Sequence, residues 1–216
     1  DGVVENTDKM FASVGVGDKE YKLLAKVSDF TKDGWKLEAL RNENATLVPG
    51  GKLEKDAFLT NKDGRKIGVI IRNLSDKNQK VSDCIVTKLS FSKEMFDGQI
   101  TLPGSLGFDS TEKELKAAGF KKDADGIYTY TSKKIKDDTI KAAMADGESV
   151  SEITLERAVD ESSTSAGNAA ANTSASTAAG SATTTASDSS SAEQNSATAD
   201  TTLTNNSDSA SDSAEE

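Results

Sequence analysis

The sequence VSDFTKDGWKL, residues 27–37, indicates the unit on which the fold is built. Residues 27–33 have room for a short helix, with Ser28 as a suitable N-cap. Gly34 follows as a stop, because glycine readily adopts the left-handed conformation that ends many helices. The next residues alternate between apolar and polar, as in a strand with one buried face: Trp35, Lys36, Leu37, Glu38 and Ala39. The stretch therefore predicts a short helix that leads directly into a β-strand.

The same features return at an offset of 85, where residues 112–122 read EKELKAAGFKK. Thr111 and Glu114 fit a capping box at the start of this second helix. Three pairs of segments align at this offset: Tyr21-x-Leu23 with Leu106-x-Phe108, Asp29-Phe30 with Glu114-Leu115, and Gly34-Trp35 with Gly119-Phe120. The alignment indicates a tandem repeat.

The predicted fold class is α+β, with two tandem units of a short helix packed on an antiparallel β-meander, followed by a disordered tail. Turn sequences at Asn61-Lys62-Asp63-Gly64 and at Asp146-Gly147 favour hairpins within the meanders. Chance similarity within a single α+β domain is the alternative to a repeat. The predicted boundaries are a flexible N-terminal spacer at 1–17, the first unit at 18–95, the second unit at 96–157 and the tail at 158–216.

The composition changes abruptly after Arg157. Residues 158–216 contain no lysine, arginine or aromatic residue, and their aliphatic side chains other than alanine are Val159 and Leu203. Such a segment buries too little apolar surface to offset its conformational entropy, so we predict that it is disordered. It holds nine acidic residues, which leaves 27 acidic and 26 basic residues in 1–157. The net charge of −10 is therefore mainly a property of the tail.

Composition excludes several functional classes. A nearly neutral foldable region argues against a nucleic-acid partner, and no apolar run has the length of a membrane span. The chain has no histidine, which excludes a histidine-based catalytic triad or zinc site. Cys84 is the single cysteine and lies in an apolar stretch, so we expect a buried hydrophobe rather than a reactive thiol. We predict no cofactor, no metal and no enzymatic activity.

Acidic motifs offer two weaker candidates for chemistry. Asp123-Ala124-Asp125-Gly126 has the spacing of part of a calcium loop, but it lacks the distal ligands, and a turn explains it better. Asp137-Asp138 and the pair Glu112 and Glu114 stand among lysines, which favours a solvated surface over an acid and base held across a cleft.

A resemblance to a known family rests on five segments. Tyr21-Lys22-Leu23, Val27-Ser28-Asp29-Phe30 and Gly34-Trp35-Lys36-Leu37 resemble the opening of a poorly characterised family of exported lipoproteins of Gram-positive gut bacteria. Ile100-Thr101-Leu102-Pro103-Gly104 and the segment from Phe108 to Leu115 resemble its second half.

What this resemblance implies is a fold and a location. The helix-plus-sheet unit is similar to the repeats of the β-lactamase-inhibitor-protein-like fold and of the small outer-membrane assembly lipoprotein, over roughly 19–156. The family implies an envelope location, with export and a lipid-bearing cysteine on a segment before Asp1 as one means of attachment. Its motifs are structural and carry no catalytic residue.

The functional prediction is a non-enzymatic, exported or cell-envelope binding module that recognises a protein or glycan through a sheet face, as a monomer. The alternative is a carboxylate-based glycoside or cell-wall hydrolase. In the second unit the open face carries either Tyr128 and Tyr130 or the alternating set Ile127, Thr129 and Thr131. We expect Tyr128 and Tyr130 to be at least half exposed and to contact the partner, because paired tyrosines suit recognition sites. The competing outcome is that both rings form the core.

Overall fold

This computed structural model describes residues 5–39, 44–145 and 147–159 of the chain. The described part contains fourteen β-strands and two short helices. The helices are α1 (Val27–Lys32) and α2 (Glu112–Ala117), and 3₁₀ turns occur at Lys9–Phe11 and Val81–Asp83. The strands are β1 (Ser13–Val16), β2 (Lys19–Lys22), β3 (Lys36–Leu37), β4 (Thr46–Leu47), β5 (Lys52–Leu53), β6 (Phe58–Thr60), β7 (Lys66–Arg72), β8 (Gln79–Lys80), β9 (Ile85–Ser92), β10 (Ile100–Thr101), β11 (Lys121–Lys122), β12 (Tyr128–Thr131), β13 (Thr139–Ala145) and β14 (Ser149–Glu156).

The dominant element is an antiparallel sheet of nine strands in the order β11-β12-β13-β14-β9-β7-β6-β3, with β5 also paired to β7. A three-stranded sheet has the order β10-β1-β2, and a small ribbon joins β4 to β8. The predicted hairpins β6–β7 and β13–β14 are both present. Their turns bring consecutive strands into register, as the sequence indicated.

The predicted fold class is wrong. The described chain is mostly β, with helices of only six residues each, and it does not form two separate helix-and-sheet units. The reason is the pairing of β9 with β14, which joins the strands of both halves into one sheet. Strand periodicity reports which side chains are buried but not which strand lies alongside. All described residues belong to one compact unit.

The similarity between segments 85 residues apart is nevertheless present in the structure where the two helices end. The N–H of Trp35 donates to the carbonyl of Phe30 over 3.2 Å, and the N–H of Phe120 donates to that of Leu115 over 3.0 Å. The glycine before each ring has a positive φ, 91° in the first case and 100° in the second. This is the Schellman arrangement, which satisfies helix carbonyls that would otherwise lack partners. Both aromatic rings are buried.

The two helices begin differently. α2 has the predicted capping box, in which Thr111 Oγ1 accepts from the N–H of Glu114 over 3.3 Å and the Glu114 carboxylate accepts from the N–H of Thr111 over 2.8 Å. The prediction of Ser28 as N-cap is wrong: the N-cap of α1 is Lys26, two residues earlier. There the Asp29 carboxylate, in the first turn of the helix, accepts from the N–H of Lys26 over 3.0 Å.

The N-terminal segment is structured where the sequence predicted a spacer. β1 lies in the centre of the three-stranded sheet, and Phe11 and Val14 are buried in the core. Phe11 packs against Tyr130 of β12 with ring centroids 6.1 Å apart. The prediction fails because these few apolar residues acquire partners only from distant parts of the chain. Residues 1–4 lie outside the described part.

The hydrophobic core lies on one face of the nine-stranded sheet. Ile67, Leu89, Ile140 and Ile153 point to this face from four different strands and are almost fully buried, together with Phe30 of α1. The predicted disordered tail lies outside the described residues from position 160 onward. Within the described part, neither helix has the length and hydropathy needed to cross a bilayer.

Candidate functional site

The predicted partner residues lie in the core, so the hypothesis that they mark the partner face is wrong. Tyr128 is 1% exposed and Tyr130 is 6% exposed. The Tyr130 ring packs against Phe120 at 5.5 Å, and its hydroxyl donates to the Asp8 carboxylate over 3.0 Å. Burial and Asp8 together raise the pKa of Tyr130. The alternation of residues along β12 leaves open which of its two sets of side chains is buried. The contacts of Tyr130 with Phe11 and Phe120 show that the tyrosine set is the buried one.

The alternating set of β12 therefore faces outward. Thr129 is half-buried and Thr131 is exposed. The strand register continues this outward set across the whole sheet. One row of paired residues runs through Lys121, Thr129, Lys141, Thr154, Ser90, Gly68 and Phe58. A neighbouring row runs through Thr131, Thr139, Glu156, Lys88 and Ile70. We call this surface the open face.

The open face contains a groove in its first half. The groove has a volume of about 390 Å³. Its floor and walls come from three adjoining strands and the turn before β6: Glu54, Asp56, Ala57, Phe58, Gly68, Val69, Ile70, Lys88 and Ser90. It is the one place on the described open face where a half-exposed aromatic ring, an aliphatic side chain and charged groups surround a common depression.

Two small residues create the groove. A Cβ atom added to Gly68 would lie 3.3 Å from the Cβ of Ser90 and 3.9 Å from Cε1 of Phe58. Any larger side chain at Gly68 or Ser90 would therefore occupy the space. The ammonium of Lys66 lies 5.8 Å from the centroid of the Phe58 ring, at cation–π distance. The edge of the ring is near Gly68, so the ring forms a wall of the groove beside two small residues.

Charged groups surround the groove in nearly balanced pairs. Lys88 is paired with Glu156 at 3.3 Å, and Glu54 is paired with Lys52 at 2.7 Å. Asp56 is exposed in the turn before β6 and has a positive φ of 51°, a left-handed conformation that aspartate tolerates better than most side chains.

A larger cleft of about 740 Å³ lies where the two halves of the sequence join. Its apolar residues Phe96, Ile100, Leu106 and Phe108 are almost fully buried, so its accessible walls are loop backbone and scattered polar groups. Close packing defines the wall at Gly107, where an added Cβ would lie 2.3 Å from a carbonyl oxygen. The cleft offers no accessible aromatic or aliphatic platform, and the groove is therefore the stronger candidate.

The acid pair Asp137-Asp138 is not the solvated surface that the sequence predicted, because Asp138 is fully buried. Its Oδ2 is 2.5 Å from Nε of Arg157 and accepts from Nδ2 of Asn6 over 2.6 Å. Its Oδ1 accepts from the N–H of Ala158 over 2.7 Å. Both oxygens are therefore committed to fixing the two ends of the folded region to the β12–β13 loop.

The neighbouring carboxylate of Asp8 is equally committed. Burial would raise its pKa, but hydrogen bonds from the N–H groups of Lys133 and Met10 and from the Tyr130 hydroxyl outweigh this, and the pKa is lowered. Asp8 is thus held as an acceptor rather than poised as a general acid. Sequence reasoning missed this network because its members are more than 100 residues apart.

The remaining motifs are structural. Asp123 Oδ1 accepts from the N–H groups of Asp125 and Ile127 at 3.0 and 2.9 Å, which confirms the predicted turn. Cys84 is buried, as expected, and burial followed by the charge of Asp83 raises the pKa of its thiol to about 11. Glu112 is ion-paired with Lys116. Among the described residues, no group of three or more Cys, Asp and Glu side chains has the arrangement of a metal site.

Comparison with known proteins finds no matching family model, no matching curated protein and no matching solved structure.

Proposed function

We propose that this chain is a non-enzymatic, exported or cell-envelope module that binds its partner through the open face, with the groove as the central contact. The observation that carries the proposal is the groove itself. It combines the ring of Phe58, the small residues Gly68 and Ser90 and the ammonium of Lys88 in one depression of the open face. Binding sites typically combine an apolar platform with a few polar groups in this way.

The alternative, a carboxylate-based hydrolase, has less support. A glycosidase needs two carboxyl groups facing a common cleft, one of them with a raised pKa. Asp138 is bonded through both oxygens to groups of the fold, and the pKa of Asp8 is lowered rather than raised. Glu112 and Glu114 also have lowered pKa values, the first because of Lys116 and the second because of Thr111.

The test is co-sedimentation of the full chain with cell-envelope fragments of a Gram-positive bacterium. Ser90→Trp fills the groove and should reduce the bound fraction at least tenfold. Glu152→Trp is the matched control, because Glu152 is exposed on the same face in the second half of the sheet and pairs with Ala143 as Ser90 pairs with Gly68. Equal retention of the two variants would contradict the proposal, provided that circular dichroism shows both to be folded.

A further inference from the structure

We infer that the groove binds an uncharged oligosaccharide, with a sugar ring lying over Gly68 against Phe58. This inference rests on the proposed function and narrows its partner from a protein or glycan to a glycan. Three observations carry it: the composition of the open face, the shape of the groove and the balance of its charges.

The composition of the open face differs from that of a protein-binding surface. Protein interfaces centre on clustered aromatic, methionine and arginine side chains, with charged residues depleted at the core. The row across the sheet instead carries threonine, serine and lysine, with Phe58 as its single aromatic residue. The two large apolar side chains that are exposed in the described chain, Val48 and Met95, lie in loops outside this row. The surface therefore offers many hydrogen-bonding groups and one small apolar platform.

The shape of the groove suits a flat ring with polar edges. Gly68 has no side chain and Ser90 a small one, so the floor of the groove beside Phe58 lies close to the strand backbone. The volume of about 390 Å³ lies at the lower end of the range for small-molecule sites. The C–H face of a pyranose can rest on the aromatic ring, while its hydroxyls reach the rim. At the rim, Lys88 donates, Asp56 accepts and Ser90 can do both.

The charge balance favours an uncharged ligand. The Lys88 ammonium lies beside Glu156, and the Glu54 carboxylate lies beside Lys52, so two of the three charges that line the groove are offset by a neighbour and Asp56 leaves a single negative charge. A polyanionic or polycationic partner gains little at such a site, since strong binding by charge requires several charges of one sign. Sugar hydroxyls, in contrast, can donate to the carboxylates and accept from the ammonium at the same time.

The experiment titrates the full-length chain, labelled with ¹⁵N, with cellohexaose, maltohexaose and chitohexaose. The expected result is saturable binding of at least one of them, with amide shifts concentrated at Gly68, Lys88 and Ser90. Phe58→Ala should weaken this binding at least tenfold, and Phe58→Leu, which keeps an apolar side chain, should weaken it less. Glu152→Trp should leave it unchanged. If none of the three sugars shifts these amides, the inference is overturned.

A second arm separates this inference from the proposed function. Envelope fragments are treated either with protease or with mild periodate, which cleaves vicinal diols of glycans, before sedimentation. Loss of Ser90-dependent binding after periodate but not after protease supports the glycan. Loss after protease alone would mean a protein partner, which overturns the inference and leaves the proposed function standing. Failure of Ser90→Trp to affect envelope binding would contradict the proposed function itself.

Discussion

The two halves of the nine-stranded sheet have the same strand order but different outward surfaces. Lys36, Thr60 and Lys66 are paired across β3, β6 and β7, as Lys121, Thr129 and Lys141 are across β11, β12 and β13. Two residues further along, Gly68 pairs with Ser90 in the first half, whereas Ala143 pairs with Glu152 in the second. The groove exists in one half because two small side chains stand where the other half has larger ones.

The connections between the strands also differ between the two halves of the sheet. In the first half, the connection between β3 and β6 forms β4, which pairs with β8, and β5, which pairs with β7 of the nine-stranded sheet. This connection supplies Glu54 and Asp56 to the groove. In the second half β11 and β12 are joined by the short turn at Asp123. A common topology therefore provides the frame, and side-chain size and loop length decide which half carries a site.

The largest expected effect on stability concerns the feature that the two halves share, a buried aromatic ring after each helix. Trp35→Ala and Phe120→Ala should each lower the free energy of unfolding by about 3–5 kcal/mol, because each removes a buried ring beside a helix stop. Urea denaturation followed by circular dichroism measures both. Lys36→Ala and Lys121→Ala, at the exposed residues that follow, should change stability by less than about 0.5 kcal/mol. A large loss for only one ring would break the equivalence of the halves.

The next effect concerns a feature of the second half alone, the buried ion pair between Asp138 and Arg157. Asp138→Asn should cost about 3 kcal/mol of unfolding free energy, because it leaves the buried guanidinium of Arg157 without its carboxylate. Asp137→Asn, at the exposed neighbour, is the control and should be close to neutral. If thermal and urea melts of the two variants coincide, the ion pair does not hold Arg157 to the β12–β13 loop as described.

A finer comparison uses the two helix-stop glycines. Gly34→Ala should cost about 1 kcal/mol, from left-handed backbone strain alone, since no atom lies within 4 Å of the added Cβ. Gly119→Ala should cost about 1 kcal/mol more, because its Cβ would meet the Tyr130 ring at 3.3 Å. Differential scanning calorimetry of both variants measures the difference. Identical losses would show that the Tyr130 ring moves aside freely.

The smallest effect is the pH dependence at Asp8. Its pKa is lowered in the folded chain, so its stabilising contribution is present above the ordinary aspartate value of about 4 and is lost as the pH falls through the lowered value. The difference in unfolding free energy between the wild type and Asp8→Asn should therefore shrink below about pH 4. Asp109→Asn, at an exposed loop carboxylate, is measured beside it as the control for removing one surface carboxylate. A constant difference for Asp8→Asn would mean that its ionisation does not stabilise the fold.

The groove shows why a binding site could not be predicted here from single residues of the sequence. A turn separates Phe58 from Gly68, and the segment that forms β8 separates Gly68 from Ser90. Each of the three residues taken alone is an ordinary strand residue. Their meeting depends on the register of β6, β7 and β9, which is a property of three strands at once. Tyr128 and Tyr130, in contrast, attracted a functional interpretation because they stand close together in the sequence, and packing placed both in the core.

The sequence by itself determined the local chemistry of the backbone. The capping box at Thr111, the Schellman stops at Gly34 and Gly119 and the turn at Asp123 involve groups within a few residues of one another, so residue type and spacing specify them. The tertiary structure alone decided that β9 pairs with β14, that β1 lies inside a sheet and that the tyrosines point inward. These choices depend on contacts between segments far apart in the chain, whose free energies no local pattern contains.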